Sequence, residues 1–230
     1  MQALGSTSGL VAKEVKEKIG VDRNAAPRRL TFLAVGAWFA AAVVAGALGM
    51  VNRPGEPPFV LAGLLLVPIV GFVLAYRASL RFRDFTDTIP LTILVGSHVW
   101  RFVGLGFVIA WLAGALPAGF GIPEGFGDII AAAGAVALLP RIREGEATRG
   151  WLLAWNIFGF VDLVSAITMG VLFSEGPAGL LHTATSNTAL MVTFPVSLIP
   201  TFFVPLFLLV HAVVFRRVAR LEGGAHAVSR

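Results

Sequence analysis

The fold class this chain predicts is all-α: a polytopic integral membrane protein built as a bundle of six transmembrane helices. Three observations predict it. First, 57% of its 230 residues are apolar and 13% are charged, whereas an ordinary soluble domain carries about 25% charge. Second, the apolar residues come in long unbroken runs, for which lipid is a more natural solvent than a buried core. Third, 16 of the 18 Lys and Arg residues fall on one alternating set of the segments between those runs. Arg53 alone falls on the other set, and Arg101 sits inside a run. Basic segments confined to one side mark cytoplasmic loops.

In order along the chain, residues 1–29 read as a polar cytoplasmic tail. This stretch is no secretory signal, because the first apolar run is too long for an h-region. Leu10–Ile19 (LVAKEVKEKI) fits either a short cationic amphipathic helix on the inner surface or a disordered tail. The transmembrane domain is 30–215. Span one, Leu30–Val51, is long enough to cross a hydrocarbon core of about 30 Å. Asn52–Pro58 (NRPGEPP) turns the chain, Phe59–Tyr76 crosses back, and Arg77–Asp87 forms a charged loop. Thr88–Ala113 is span three, followed by a Gly/Pro-rich loop, Gly114–Gly125. Span four is read as Phe126–Pro140, with Asp128 near its start as a cap facing the positive helix dipole.

At about 15 residues that fourth element reaches only about 22 Å. Charge nevertheless argues that it spans. Six basic residues in the N-terminal tail, three in each inner loop and four in the C-terminal tail then share one side. Snorkelling by Arg141 and Arg143 and local bilayer thinning cover the missing length. Gly150–Phe173 is span five, Ser174–Asn187 a polar loop, and Thr188–Phe215 span six. A basic cytoplasmic tail, 216–230, follows. Gly104, Gly106 and the Gly63–Gly71 face are expected to let helix backbones approach closely.

The net charge of +5 does not indicate nucleic acid, because the basic residues flank apolar runs. The lipid bilayer, and anionic inner-leaflet lipids in particular, are the expected partners. A bias of 15 Arg to 3 Lys, with 26 Gly, suggests a GC-rich bacterial genome and hence a bacterial inner membrane. The absence of cysteine excludes disulfides, thiolate metal sites and c-type haem attachment. No Walker A, HExxH or paired-carboxylate motif is present, and no metal site is expected. No Gly-x-Ser-Gly nucleophile follows Trp100-Arg101. Every lysine lies at positions 13–18, which removes a Schiff base in the last helix. A homo-oligomer is left open.

The candidate site is therefore the set of polar residues inside the spans. Arg101 lies roughly 19 Å and Asp162 roughly 18 Å from the inner edge at 1.5 Å per residue. An isolated charge at such depth costs at least about 2.5–3.5 kcal/mol, so matched depth and opposite sign suggest an ion pair. That pair is either a packing device or a functional anchor. His98, three residues before Arg101, shares its face, and Asn156 lies on a similar side of span five to Asp162. Thr201 stands among Pro195, Pro200 and Pro205, whose missing N–H groups leave carbonyls in need of partners.

These residues predict a polar cavity bounded by spans three, five and six that binds or moves a small solute, proton or ion. Arg101 would anchor negative charge, Asp162 would balance it or accept a proton, and His98 would relay. The alternatives are a b-type haem or quinone site on His98 and His211, a lipid-modifying enzyme and a structural subunit. The Trp100–Gly104 segment echoes Trp155–Gly159, which reads as coincidence or as two similar packing surfaces.

Topology is directly testable. Reporters fused after Asp87, Glu146 or Arg230 are expected to read cytoplasmic, and those at Gly55, Gly121 or Gly179 external. An external signal at Glu146 would reduce span four to a re-entrant segment.

Overall fold

The computed structural model describes residues 24–53 and 57–228, with side chains described to residue 220. The proposed amphipathic segment Leu10–Ile19 lies outside the described residues. Six helices are long and apolar enough to cross a membrane. Helix α1 (Ala25–Ala47) is span one and α2 (Phe59–Ala78) is span two. A short α3 (Leu80–Thr88) precedes span three, which runs as α4 (Leu91–Gly96), a 3-10 segment (Ser97–Val103) and α5 (Gly104–Leu112). Span four is α6 (Ala118–Arg143) and span five is α7 (Arg149–Leu172). A 3-10 turn (Ala189–Val192) leads to a π-helical turn (Ile199–Phe203) that runs into α8 (Val204–Val228) as span six.

Four expectations need correction. The segment Arg77–Asp87 is largely helical, not a loop. Ser79 caps α3 by accepting a hydrogen bond from the Phe82 N–H at 3.2 Å, the usual work of an N-cap serine. Arg217 donates to the Asp87 and Ile89 carbonyls at its far end, and Arg220 pairs with the Asp87 carboxylate.

Span four is a full helix of 26 residues, roughly 39 Å long, so no bilayer thinning is required and Gly121 lies inside it. The residues read as loop are helical because their glycines pack against span three. A Cβ on Gly104 would meet the Gly125 carbonyl oxygen at 2.6 Å, and one on Gly125 would meet Gly104 O at 3.0 Å. That approach, together with the need to satisfy every backbone group in lipid, outweighs a glycine penalty of about 1 kcal/mol per residue. Gly106, Gly63 and Gly71 meet nothing within 4 Å, so they are not packing surfaces as expected.

Span six begins later than expected, at Ile199 rather than Thr188. Its proline-rich approach is unwound. The Thr201 carbonyl would pair in an α-helix with the missing N–H of Pro205, and the Leu64 carbonyl with the missing N–H of Pro68. Trp38 Nε1 donates to both, at 3.0 Å and 3.1 Å. One indole thus supplies two carbonyls that prolines orphaned, and it ties spans one, two and six together.

Spans three to six make the core, with an apolar cluster toward each end of the bundle and a third, Leu163, Val204 and Phe207, between spans five and six. Leu94, Val95, Leu138, Leu152, Val214 and Val218 fill the end nearer the basic loops. Phe107, Leu116, Phe120 and Met191 fill the other. Helix α2 has no buried residue and packs only peripherally, as a lipid-facing helix does.

If the indole serves as described, Trp38→Phe lowers the melting temperature in detergent, since each stranded carbonyl costs about 1–3 kcal/mol. In a Pro205→Ala background, where Thr201 O regains a backbone partner, the same change is expected to cost less. Equal costs in both backgrounds would show that the indole hydrogen bond contributes nothing.

Candidate functional site

Between the apolar clusters at the two ends of the bundle lies a buried polar column. The 3-10 segment runs for seven residues, Ser97–Val103, longer than the usual three or four. In a 3-10 helix residues i and i+3 eclipse, so His98 and Arg101 project one above the other into the bundle. His98 is 0% and Arg101 1% exposed. The Arg101 guanidinium spends its fork on three acceptors. Nε donates to Asp128 Oδ1 at 2.6 Å on span four, and Nη1 to the Gly159 carbonyl at 3.1 Å on span five. Nη2 donates to Asp162 Oδ2. A rigid planar fork suits such simultaneous pairing better than an ammonium would.

Span five presents this face at a spacing of three: Asn156, Gly159, Asp162 and Ser165. Gly159 is needed where it stands, because a Cβ there would lie 2.8 Å from His211 Nε2 and 3.0 Å from Arg101 Nη1. Asn156 and His211 form a reciprocal pair, with His211 Nδ1 and Asn156 Oδ1 at 2.7 Å and Asn156 Nδ2 donating to the His211 carbonyl at 3.1 Å. The amide nitrogen is committed to that carbonyl. Asn156 Oδ1 therefore accepts from a protonated Nδ1, and the His211 Nε2 lone pair is left without a partner. Neither ring nitrogen of His98 has a partner among the described residues.

Glu124 lies one turn before Asp128 on the same face of α6 and is 1% exposed. Ser165 Oγ donates to its Oε1 at 2.8 Å, while Oε2 has no partner. The site therefore gathers three carboxylates, Glu124, Asp128 and Asp162, around one guanidinium. A cleft of about 440 Å³ reaches it. Its lining includes Met50, Arg53 and Glu175 at the end away from the basic loops, Leu163 and Val204 in the bundle, and Asp128 of the ion cluster. Spans three, five and six all contribute to its lining, through Phe107, Leu163 and Val204 among others, and the span one–two hairpin and span four line it as well.

Of the residues expected from the sequence, Arg101, Asp162, His98, Asn156 and His211 meet in this column. Thr201 does not hydrogen-bond to it among the described residues. Its hydroxyl donates to the Ser197 carbonyl at 2.6 Å and its own carbonyl serves Trp38. Asp128 is not a helix cap but lies about ten residues into α6. Glu124 and Ser165 were missed. The signal that could have found the two carboxylates was the length of span four: extended back by eight residues it reaches full length and brings Glu124 and Asp128 onto one face.

A haem does not fit the histidines. The His98 and His211 rings touch, with centroids 4.2 Å apart, and Trp155 and Phe207 close on His98 at 5.0 Å and 4.9 Å. A macrocycle has no gap between them.

Because two carboxylates share Arg101, the order of damage among variants is predictable. Arg101→Gln strands both and is expected to be the worst single change, of the order of 3–5 kcal/mol. Asp162→Asn leaves the Asp128 pair and is milder. Arg101→Gln with Asp162→Asn recovers stability only in part, and adding Asp128→Asn recovers more. Thermal unfolding of the purified variants reads this order. A double variant as stable as the triple would remove Asp128 from the ion cluster.

No curated protein and no solved structure matches the chain. Residues 58–219 match a family described as "Domain of unknown function (DUF8737)", a region that takes in spans two to six and every residue of the polar column. The chain belongs to that family.

Proposed function

We propose that this protein is a carrier of the bacterial inner membrane, its basic end and both termini cytoplasmic, that binds a proton or small cation at the Arg101 cluster and moves it across. The observation that carries the proposal is a cleft with Asp128, an ion-paired carboxylate deep in the bundle, in its lining. Charge supports a cationic load. Arg101 neutralises one of the two carboxylates it holds, and Glu124 adds a third with an oxygen that no described residue satisfies. A buried charge left unpaired is too costly to persist, so a proton or a cation completes the site. A small solute bearing a cationic group has the same chemistry.

The mechanism follows from who competes with whom. A cation arriving through the cleft meets Asp128 and competes with Arg101 Nε for its carboxylate. Asp162 keeps the guanidinium paired on its other side, so Arg101 is released from one partner without being stranded. Arg101 Nη1 lies beside His211 Nε2, whose lone pair can take up a hydrogen bond as the guanidinium moves. Beyond the histidines, Trp155, Leu152, Val95 and Val214 shut the path to the basic end. On this reading the cleft side faces outward and the apolar plug faces the cytoplasm. Trp155 touches both histidines at 5.0 Å and 5.4 Å and donates to the Ala131 carbonyl at 2.9 Å, so it is the side chain through which ring movement reaches the apolar plug.

The test is reconstitution of the purified chain into liposomes holding a pH-sensitive dye, with proton, sodium or potassium gradients imposed in turn. Flux above empty liposomes is expected for at least one cation. Glu124→Gln keeps the acceptor oxygen for Ser165, so it is expected to fold and to lose about tenfold or more of that flux. A chain that moves no cation, or a Glu124→Gln variant with undiminished flux, sinks the reading.

A further inference from the structure

At the basic end, remote from the Arg101 cluster, a second and smaller cavity of about 110 Å³ sits between α2, α3 and α8. Its polar lining is Tyr76, Arg77, Thr86, Asp87 and Arg216. Tyr76 is the single tyrosine of the chain, and its hydroxyl is sealed from solvent without a hydrogen-bond partner among the described residues. A buried tyrosine hydroxyl normally finds one. The Arg216 guanidinium lies over the Tyr76 ring, 4.5 Å from its centroid.

The other charged groups nearby are already committed. Arg83 donates to the Tyr76 and Arg77 carbonyls, Arg217 to the Asp87 and Ile89 carbonyls, and Arg220 pairs with the Asp87 carboxylate, the one acid lining the cavity. Arg77 and Arg216 have no ion-pair partner among the described residues. Two uncompensated guanidiniums and an orphaned hydroxyl donor thus converge on one space, and that is a donor set for a phosphate oxygen. The remaining lining is apolar, with Phe72 and Val73 one turn toward the bilayer. Val73 is 41% and Leu74 61% exposed, so an apolar strip continues from the cavity along the lipid-facing side of α2.

We infer that this cavity is a binding site for one anionic phospholipid, its phosphate held by Tyr76, Arg77 and Arg216 and its acyl chain laid along Phe72 and Val73. A free phosphate would gain only the polar half of that arrangement. A zwitterionic lipid would bring a cationic group against two arginines. The site lies at the seam where α2, a helix with no buried residue, meets span six, so a bound lipid ties the peripheral hairpin to the core.

The test uses the full chain purified in a neutral detergent and titrated separately with phosphatidylglycerol, phosphatidylcholine and inorganic phosphate, reading thermal unfolding and lipid retained in native mass spectrometry. Phosphatidylglycerol is expected to raise the melting temperature by about 3 °C or more, and neither of the others to do so. Arg77→Gln with Arg216→Gln changes two exposed side chains, leaves folding intact and abolishes both the shift and the retained lipid. Tyr76→Phe is expected to be no less stable than the parent in phosphatidylcholine, yet to lose part of the phosphatidylglycerol shift. A shift that survives the double arginine variant overturns the site, and one that inorganic phosphate reproduces unaided overturns the lipid.

Discussion

A guanidinium held inside an apolar bundle must be paired, and the pairing of Arg101 governs how the central four spans sit. Its acceptors come from two other helices, Asp128 on span four and Asp162 and the Gly159 carbonyl on span five. For one fork to reach all three, the helices must come closer than side chains normally allow. Glycines stand at the points of approach. Gly104 and Gly125 bring spans three and four together, Gly159 makes room for Arg101 and His211, and a Cβ on Gly127 would strike the Asp162 carboxylate. In lipid, apolar side chains give little net drive for helices to associate, whereas close packing and interhelical hydrogen bonds do. The ion cluster and the glycines around it are therefore one device, since neither can be built without the other.

Span six obeys a different rule. Its prolines remove N–H groups where lipid offers no replacement, and the chain answers with a π-helical turn and a donor from elsewhere. The donor is Trp38, which lies outside the region 58–219 that matches the family. Span one therefore supplies a hydrogen bond that span six and span two both lack, though it buries few residues of its own. Unwound backbone beside a polar cavity is how several membrane carriers expose carbonyls to their load. Here the Thr201 carbonyl is already taken, which leaves side chains, above all the carboxylates, as the groups facing the cleft.

What the sequence made legible was what a single periodicity or a single charge could report. The number of spans followed from hydropathy and, for the short fourth run, from the placement of the basic residues, and the shared face of His98 and Arg101 followed from helix geometry. The Arg101–Asp162 contact was readable from depth and sign. Asp128 and Glu124 were not, because the segment around them is rich in glycine and carries Pro123, and local propensity reads such a stretch as loop. The glycines are there for a contact with span three that only the folded chain reveals, so tertiary packing overrode propensity. Trp38 escaped for a related reason. Each orphaned carbonyl can be foreseen from a proline four residues on, but nothing local says which distant donor fills it. The unwinding before Ile199 escaped likewise, because an apolar run with three prolines has the same hydropathy whether it is kinked or undone.

The two ends of the polar column differ in a way that bears on how it works. Toward the end away from the basic loops, the cleft brings open space to Asp128. Toward the basic end, His98 and His211 are fully enclosed, and beyond them Leu152, Val95 and Val214 pack without polar atoms. Charge is surplus on the open side, where Glu124 and Asp128 face one another along α6, and is absent on the closed side, where two neutral-capable rings and an amide take over. A column that only held the helices together would have no need of a third carboxylate, since Glu124 makes no bond to Arg101. It would also gain stability by filling the cleft, because empty space beside an ion pair contributes neither dispersion nor hydrophobic burial. Unfilled volume, a buried acid with one unpartnered oxygen and a seal on one side only are costs that packing alone does not explain, and they are the features on which the proposal of a cation site rests.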